Sequence, residues 1–353
     1  MKYVRLLLLF IPVAILGELL HWSPMLIFFT SALAIIPLAG ILGNATEVLA
    51  EKTGPRIGGL LNASLGNAAE LIITLVAIRA GQLALVSASI IGSILGNVLL
   101  VMGASIFLGG LRFGIQKFDR AQAGLDATML LLAGIALAVP SIFNGAIEPD
   151  FLHVEELSIA TAVVMLIIYV LAIFYMLRSS SPETEAGPSV PASHTGPHWS
   201  TGKALGVLTL SVIGIGIMSE FLVGSIGHVT ESLGMSTFFI GIIIIPLIGN
   251  VAEHIVAVEV AMKDQMDLSI TIALSSSLQI ALFIAPLLVF LSIPLGHPWV
   301  LEFNNFEIIA LISAAVIGAI VAIDGRSNWL EGAMLLAVYL ILAIGFFFLP
   351  SMI

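Results

Sequence analysis

Long apolar runs follow one another along the whole chain and predict its secondary structure. Each run is about 20 residues long, the length that crosses a bilayer as a helix, and none alternates like a barrel strand. Backbone groups need internal partners in lipid, so such runs predict helices. We predict eleven spans, at residues 4–20, 25–49, 57–78, 83–109, 122–140, 154–177, 204–227, 235–261, 268–292, 305–323 and 329–349.

The charges between the runs predict an orientation. With the N-terminus in the cytoplasm, the cytoplasmic segments hold every Lys and Arg of the chain except Arg79. The opposite loops carry acids instead, among them Glu148, Asp150 and Glu302. Because positive charge collects on the cytoplasmic side during insertion, we predict a cytoplasmic N-terminus and a C-terminus outside.

Only residues 178–202 have the composition of a linker, rich in Ser, Pro, Gly and Thr. This predicted cytoplasmic linker separates two groups of five spans, residues 23–177 and 203–353. Residues 1–22 hold an extra first span, which lacks a small-residue cleavage site and is expected to be retained. The fold class is therefore an all-α polytopic membrane protein.

The composition supports a membrane protein and excludes several functions. Of the 353 residues, 59% are hydrophobic and 10% are charged. The formal charge of −10 excludes a nucleic-acid binder, and the absence of cysteine excludes disulfides and thiol chemistry. The compact length without targeting extensions favours a prokaryotic inner membrane, and a vacuolar relative is left open.

An internal repeat relates the two groups of spans. Residues 66–71 read GNAAEL and residues 249–254 read GNVAEH, a shift of 183 positions that also aligns Ser93 with Ser276. Each group has an odd number of spans, so the second enters the membrane from the opposite side. Inverted repeats with a shared site near the midplane are the plan of many secondary transporters. We therefore predict that Glu70 and Glu253 face each other.

The two glutamates lie near the centres of their spans, where a carboxylate costs at least about 2.5 kcal/mol on insertion scales. No Lys or Arg lies at comparable depth to pair with them. Two such carboxylates become neutral by binding either two protons or one divalent cation, which is the core of an antiport mechanism. A structural hydrogen bond between helices is the alternative.

Neutral oxygens near the glutamates favour a hard cation. Calcium takes six to eight oxygen ligands, whereas zinc prefers nitrogen or sulfur. Glycine before each glutamate is expected either to interrupt the helix or to let another helix approach. Besides Glu70 and Glu253, the candidate ligands are Asn67, Asn250, Ser93, Ser276, Gln279 and Asn97, all of which have helix packing as the alternative role.

Four further titratable residues are candidates for the proton or ion pathway. Glu47 and Glu231 align after a one-residue gap and lie near opposite ends of the membrane. Glu220 has no repeat partner and is equally a structural acid. Histidine as a residue type titrates near neutral pH, which makes His254 a candidate, but on a helix it points about 100° away from Glu253.

These motifs carry a resemblance to a known family. Residues 43–72, 249–258 and 275–289 resemble the calcium/proton exchanger family of the cation/calcium exchanger superfamily. The resemblance implies two inverted five-helix repeats and Ca²⁺/H⁺ antiport by alternating access. It implies paired acidic ligands at Glu70 and Glu253, an acid on the cytoplasmic approach at Glu47, and polar lining residues at Asn67, Asn250, Ser93, Ser276 and Gln279. The GTSLPE-like repeats of sodium/calcium exchangers are missing, which favours protons as the counter-ion.

Rival functions remain at this stage. The nearest rival is exchange of Na⁺, K⁺ or Mn²⁺ for H⁺ by the same kind of protein, and a passive cation channel is a rival of another class. An intramembrane metalloprotease needs an H-E-x-x-H motif, which the chain lacks, so we predict no enzyme and no cofactor. The expected partners are Ca²⁺, protons and the lipid bilayer, and self-association is left open.

Overall fold

The computed structural model describes residues 4–53, 58, 61–62, 64–147, 151–179 and 199–349, and helices occupy most of them. The central part of the predicted linker, residues 180–198, and the predicted outer acids Glu148 and Asp150 lie outside the described residues. A 3₁₀ turn at Val4–Leu9 precedes the first α-helix. The helices are α1 (Phe10–Leu19), α2 (Pro24–Thr53), α3 (Ala68–Arg79), α4 (Leu83–Phe113), α5 (Arg120–Ile147), α6 (Phe151–Ser179), α7 (Thr201–Leu233), α8 (Thr237–Ala261), α9 (Met266–Ser292), α10 (Asn305–Ala322) and α11 (Trp329–Phe347).

The eleven predicted spans are confirmed as helical segments, with two differences: the first span is short, and the third is interrupted. Within the described residues, nine helices are long and apolar enough to cross a membrane. The first apolar helix, Leu6–Leu19, is shorter. The predicted span at 57–78 is not continuous, because a turn at Gly66 and Asn67 separates helical residues 64–65 from α3.

Helix packing follows the inverted repeat. Helix α2 packs along α7, and α5 packs along α10. Helix α3 contacts α7 as α8 contacts α2, and α4 contacts α11 as α9 contacts α6. Exchanging α2–α6 with α7–α11 leaves the first two pairs unchanged and converts each of the other four into another pair of the set. The contacts therefore agree with the two inverted halves that the odd number of spans per half predicts.

Loops predicted for the same side lie together. After α4, β1 (Gln116–Lys117) pairs antiparallel with β2 (Arg326–Ser327), which follows α10. Gln116 Nε2 also donates to the Ala261 carbonyl at the end of α8. At the opposite end, Trp299 Nε1 in the loop after α9 donates to Ser87 Oγ near the start of α4. The contacts thus separate the loops into the two groups that the charge pattern predicted.

Within the described ranges, three helices contain a π-helical segment. These segments are Gly96–Val101 in α4, Ile240–Ile244 in α8 and Ile280–Ile284 in α9. Pro246 and Pro286 each follow a π segment by two residues. Proline lacks an N–H and its ring clashes with the carbonyl four residues earlier, and a widened turn relieves both problems. The segments in α4 and α9 are related by the shift of 183 positions, so the repeat extends to backbone geometry.

Helices α4 and α8 approach to backbone contact. A Cβ on Gly92 would overlap the carbonyl of Ile242, and a Cβ on Gly241 would lie 2.8 Å from the Cβ of Ala88. Only small residues allow such an approach, as is common between membrane helices. This contact fixes the second GN-x-A-E motif, on α8, next to α4 and its polar side chains.

Candidate cation site

The first motif forms the broken start of α3. Gly66 and Asn67 form a turn, and Asn67 has a non-helical conformation with φ −99° and ψ 29°. Glu70 therefore lies in the first turn of α3, where the positive end of the helix dipole favours an acid. Its side chain is buried, and Thr74 Oγ1 donates to its backbone carbonyl at 2.7 Å.

The second motif lies within an unbroken segment, Ile245–Ala261. Here the glycine permits close packing instead: a Cβ on Gly249 would lie 3.2 Å from Glu70 Oε1. A Cβ on Gly66 would lie 3.9 Å from Glu253 Oε1. The glycine of each motif thus faces the glutamate of the other. The predicted meeting of the motifs is confirmed. In the first half the glycine interrupts the helix, and in the second half it lets another helix approach.

Both glutamates have an unpartnered, buried oxygen. These are Glu70 Oε1 and Glu253 Oε2. Within the part of the chain that the structure describes, neither carboxylate forms an ion pair with Lys or Arg. Glu70 is 4% exposed, and Glu253 is more accessible. Two neighbouring carboxylates without a basic partner need protons or a cation to be stable in this environment.

A chain of hydrogen bonds joins α4, α9 and α3 beside the glutamates. Asn97 Nδ2 donates to Ser276 Oγ at 3.0 Å, and Ser276 Oγ donates to Asn67 Oδ1 at 2.9 Å. Asn67 Nδ2 then donates to Gln279 Oε1 at 2.7 Å. Asn67, Ser276 and Asn97 are buried, and Gln279 is half-buried.

The other half of the repeat has a shorter version of this chain. Asn250 Nδ2 donates to Ser93 Oγ at 3.4 Å, and both residues are buried. The shift of 183 positions places Gly96 opposite Gln279 and Ile280 opposite Asn97. The shorter chain of hydrogen bonds therefore lacks the two outer members. This difference is readable in the sequence once the repeat is aligned, although only the structure shows what it removes.

All eight candidate ligands are thus brought together around the two motifs. Their oxygens can supply a hard cation, and the two carboxylates balance the charge of one divalent ion. Among the described residues, no group of three or more His, Cys, Asp or Glu lies close enough to hold a metal ion. A cation here would depend on the carboxylate pair and on neutral oxygens. Their role as ligands stays a prediction.

The four pathway candidates lie around the site in different settings. Gly40 on α2 approaches Ala252 of the second motif, and Glu47 lies two turns farther along α2. Glu231 lies in the last turn of α7. His254 Nε2 is buried without a hydrogen-bond partner. The place of these three residues in a pathway stays a prediction.

Glu220 has a basic partner that sequence reasoning missed. Arg79 Nη1 lies 2.9 Å from Glu220 Oε1, with the two side chains 71% and 52% exposed. The signal was available, because Arg79 is the only basic residue that falls on the outer side in the predicted topology. The ion pair supports the structural alternative for Glu220 and leaves the pathway role as a prediction.

One buried acid in the membrane region was also missed. Asp126 on α5 is 6% exposed, and its Oδ1 accepts a hydrogen bond from Gln122 Nε2 at 2.9 Å. An acid inside the apolar run 122–140 was the sequence signal.

Comparison with known proteins gives the family of this chain. The sodium/calcium exchanger protein family matches residues 23–178 and 203–348, which is most of the chain. The chain belongs to this family. The match covers both five-helix halves and omits the segment between them. The predicted resemblance to the calcium/proton exchangers within the wider superfamily is confirmed by the relatives.

Among the relatives, the chain is 44% identical to a Ca²⁺/H⁺ antiporter of Aphanothece halophytica, over 98% of this chain and 96% of the relative. It is 41% identical to the Ca²⁺/H⁺ antiporter ChaA of Bacillus subtilis, over 96% of this chain and 97% of the relative. The solved structure of native YfkE superposes with a TM-score of 0.85 at 38% identity, covering 98% of this chain and 100% of that one. A solved H⁺/Ca²⁺ exchanger, CAX, shares the fold with a TM-score of 0.73 at 16% identity, covering 98% of this chain and 91% of that one.

Proposed function

We propose that this protein is a secondary active Ca²⁺/H⁺ antiporter that works by alternating access. The observation that carries the proposal is the reciprocal contact of the two motifs, Gly249 against Glu70 and Gly66 against Glu253, with an unpartnered buried oxygen on each glutamate. The names of the relatives support the choice of ions.

Charge balance supplies the exchange. Glu70 and Glu253 together carry two negative charges, which one Ca²⁺ or two protons neutralise. Calcium needs further oxygens, and Asn67, Asn250 and Ser276 are the nearest neutral candidates. Because either cargo removes the charge that would attract the other, the two are carried in alternation. One Ca²⁺ for at least two protons is the simplest stoichiometry.

Unequal exposure supports an inward-facing state. Glu70 and Asn67 are buried from solvent. Glu253, Gln279 and Gly66 are partly exposed, and Asn62, which precedes the break before α3, is exposed. In the proposed orientation, Asn62 lies on the cytoplasmic side of the break. Cytoplasmic water therefore reaches Glu253 before Glu70. The inverted repeat allows an outward-facing state in which the roles of the halves are exchanged.

The proposal includes location and boundaries. The proposed location is a prokaryotic inner membrane. The proposed orientation, with the N-terminus in the cytoplasm and the C-terminus outside, is the one that the charges between the spans predict. Its functional halves are residues 23–177 and 203–353, joined by the linker 178–202. Glu47 and Glu231 lie near opposite ends of the membrane and are proposed to receive ions on the two sides.

Transport in proteoliposomes tests the function. An imposed pH gradient should drive ⁴⁵Ca²⁺ uptake by the wild type, and Glu70→Gln or Glu253→Gln should abolish it, because one remaining carboxylate cannot balance a divalent ion. Glu156→Gln is the matched control, since Glu156 is an exposed acid at the start of α6 and should transport normally. Normal uptake by both site variants would end the assignment.

A second candidate is the same exchanger with another cargo. Some relatives are named cation/proton exchangers, for example a vacuolar protein of Oryza sativa that is 36% identical over 98% of this chain and 85% of the relative. Competition of Na⁺, K⁺ and Mn²⁺ with ⁴⁵Ca²⁺ uptake separates the cargoes. Large currents without a counter-ion would instead indicate a passive channel.

A further inference from the structure

A groove of about 360 Å³ lies between α5 and α10, away from the candidate cation site. We call it the α5–α10 groove. Its α10 wall consists largely of exposed apolar side chains, with Val316 41%, Ile320 60% and Ile323 57% exposed. Exposed apolar residues on a membrane-spanning helix face lipid, so the groove opens toward the bilayer.

The length of the groove matches one leaflet. Arg120, Gly124 and Leu131 line its α5 side at helical spacing, so the wall rises by eleven residue steps, or about 16 Å. The hydrocarbon core of a bilayer is about 30 Å thick, so the groove reaches from one surface to about the midplane. A Cβ on Gly124 would meet nothing within 4 Å, which leaves the floor of the groove open.

Basic residues mark the surface end of the groove. Arg120 is exposed, and within the described residues its side chain has neither an ion pair nor a hydrogen bond. Lys117 pairs with Arg326 in the two-residue ladder, and a Cβ on Gly325 would lie 2.9 Å from the Cβ of Arg120. The loop after α10 therefore places Arg326 close to Arg120.

Acids near this end are used in capping the backbone. Asp119 Oδ1 accepts from the N–H groups of Ala121 and Gln122, and Asp324 Oδ1 accepts from the N–H of Arg326. Asp267 Oδ1 accepts from the N–H of Asp119. These carboxylates hold the loops in place, whereas the guanidinium of Arg120 stays available at the mouth of the groove.

We propose that the α5–α10 groove binds an anionic phospholipid of the cytoplasmic leaflet, with its phosphate on Arg120 and one acyl chain along Gly124, Leu131 and Ile320. An arginine without an ion-pair partner among the described residues, at the mouth of an apolar groove one leaflet long, complements both parts of such a lipid. Basic side chains between helices on this side commonly bind anionic headgroups. The leaflet rests on the proposed orientation, and the site itself is independent of the transported ion.

Native mass spectrometry of the purified full-length chain tests the proposal. Delipidated protein is titrated with phosphatidylglycerol and, separately, with phosphatidylcholine of the same acyl chains. The wild type should prefer phosphatidylglycerol. Arg120→Gln should weaken phosphatidylglycerol binding about fivefold, the loss expected for one basic residue. It should weaken phosphatidylcholine binding less, because the choline of that lipid already offsets the charge of its phosphate. Gly124→Leu should fill the floor and lower the occupancy of both lipids.

Two matched variants serve as controls. Arg178→Gln removes a basic residue at the end of α6, and Gly206→Leu adds the same side chain at a glycine of α7 that also faces open space. Neither should change lipid binding. Equal binding of the two lipids by the wild type, or unchanged phosphatidylglycerol binding by Arg120→Gln, would overturn the proposal. So would an oligomer that Gly124→Leu dissociates without an effect on lipid, since a second copy would then cover the groove.

Discussion

Gly249→Ala separates the stability of the protein from the geometry of its site. The new methyl group would lie 3.2 Å from Glu70 Oε1 and 3.5 Å from both Cδ and Cγ. Contact at the nearest atom is closer than ordinary van der Waals packing, so the Glu70 side chain must move away by about 0.2 Å or more. Binding sites need their side chains placed to within about 0.5 Å. The site should be distorted without being destroyed.

The expected changes in affinity and stability have opposite signs. We expect the KM for Ca²⁺ to rise three- to tenfold, which corresponds to about 0.7–1.4 kcal/mol of lost binding. Alanine is favoured over glycine in a helix interior by about 1 kcal/mol, so the free energy of unfolding should stay level or rise. A transport defect with undiminished stability cannot be attributed to misfolding.

The assay combines ⁴⁵Ca²⁺ uptake in proteoliposomes with thermal unfolding in detergent. Gly216→Ala is the matched control, because a Cβ there meets nothing within 4 Å and the helix gains the same propensity. It should transport like the wild type. An unchanged KM in Gly249→Ala, together with undiminished thermal stability, would show that Glu70 does not lie against Gly249 when the cation binds. The reasoning from contact geometry would then be wrong.

Three other predictions use different parts of the structure. Asn97→Leu leaves Ser276 without its buried amide donor, which should lower the free energy of unfolding by about 1–3 kcal/mol and raise the KM for Ca²⁺. Asn97→Gln keeps an amide and should restore part of the stability and part of the affinity. Equal transport by the two variants would contradict a role of Asn97 in positioning Ser276. Glu220→Gln breaks an exposed ion pair with Arg79, so the free energy of unfolding should change by less than about 1 kcal/mol and ⁴⁵Ca²⁺ uptake by less than twofold. A complete loss of uptake would instead place Glu220 in the proton pathway. Saturating Ca²⁺ at about 100 times its Kd should stabilise the wild type by about 2.7 kcal/mol over a sample in chelator, and the Glu70→Gln variant should show no such shift in its melting temperature.

Much of the candidate site follows from sequence because duplication constrains it. The repeated Gly-Asn-x-Ala-Glu motif and the odd number of spans per half together predict that Glu70 and Glu253 meet, and the contacts of Gly66 and Gly249 confirm this. The same alignment contains the asymmetry between Gln279 and Gly96. The sequence does not show that this asymmetry lengthens one chain of hydrogen bonds and shortens the other. A hydrogen bond depends on where both side chains point, and spacing along the chain does not give that direction.

Other features depended on packing between distant residues. The break before α3 and the unbroken backbone at Gly249 arise from similar letters, since a glycine permits either outcome and the neighbouring helices select one. The partner of Glu220 lies 141 residues away on another helix. The sequence marks Arg79 as the basic residue on the outer side, but it does not show which acid Arg79 meets.

The sequence alone determined the helical spans, their alternating direction and the inverted halves, because lipid forces every backbone group to be satisfied locally and segment length then decides the topology. Only the tertiary structure decided which polar atoms meet, where α3 breaks, and that a groove opens between α5 and α10 beside Arg120. Those features depend on contacts between helices far apart in the chain, and the period of hydrophobic residues carries no information about them.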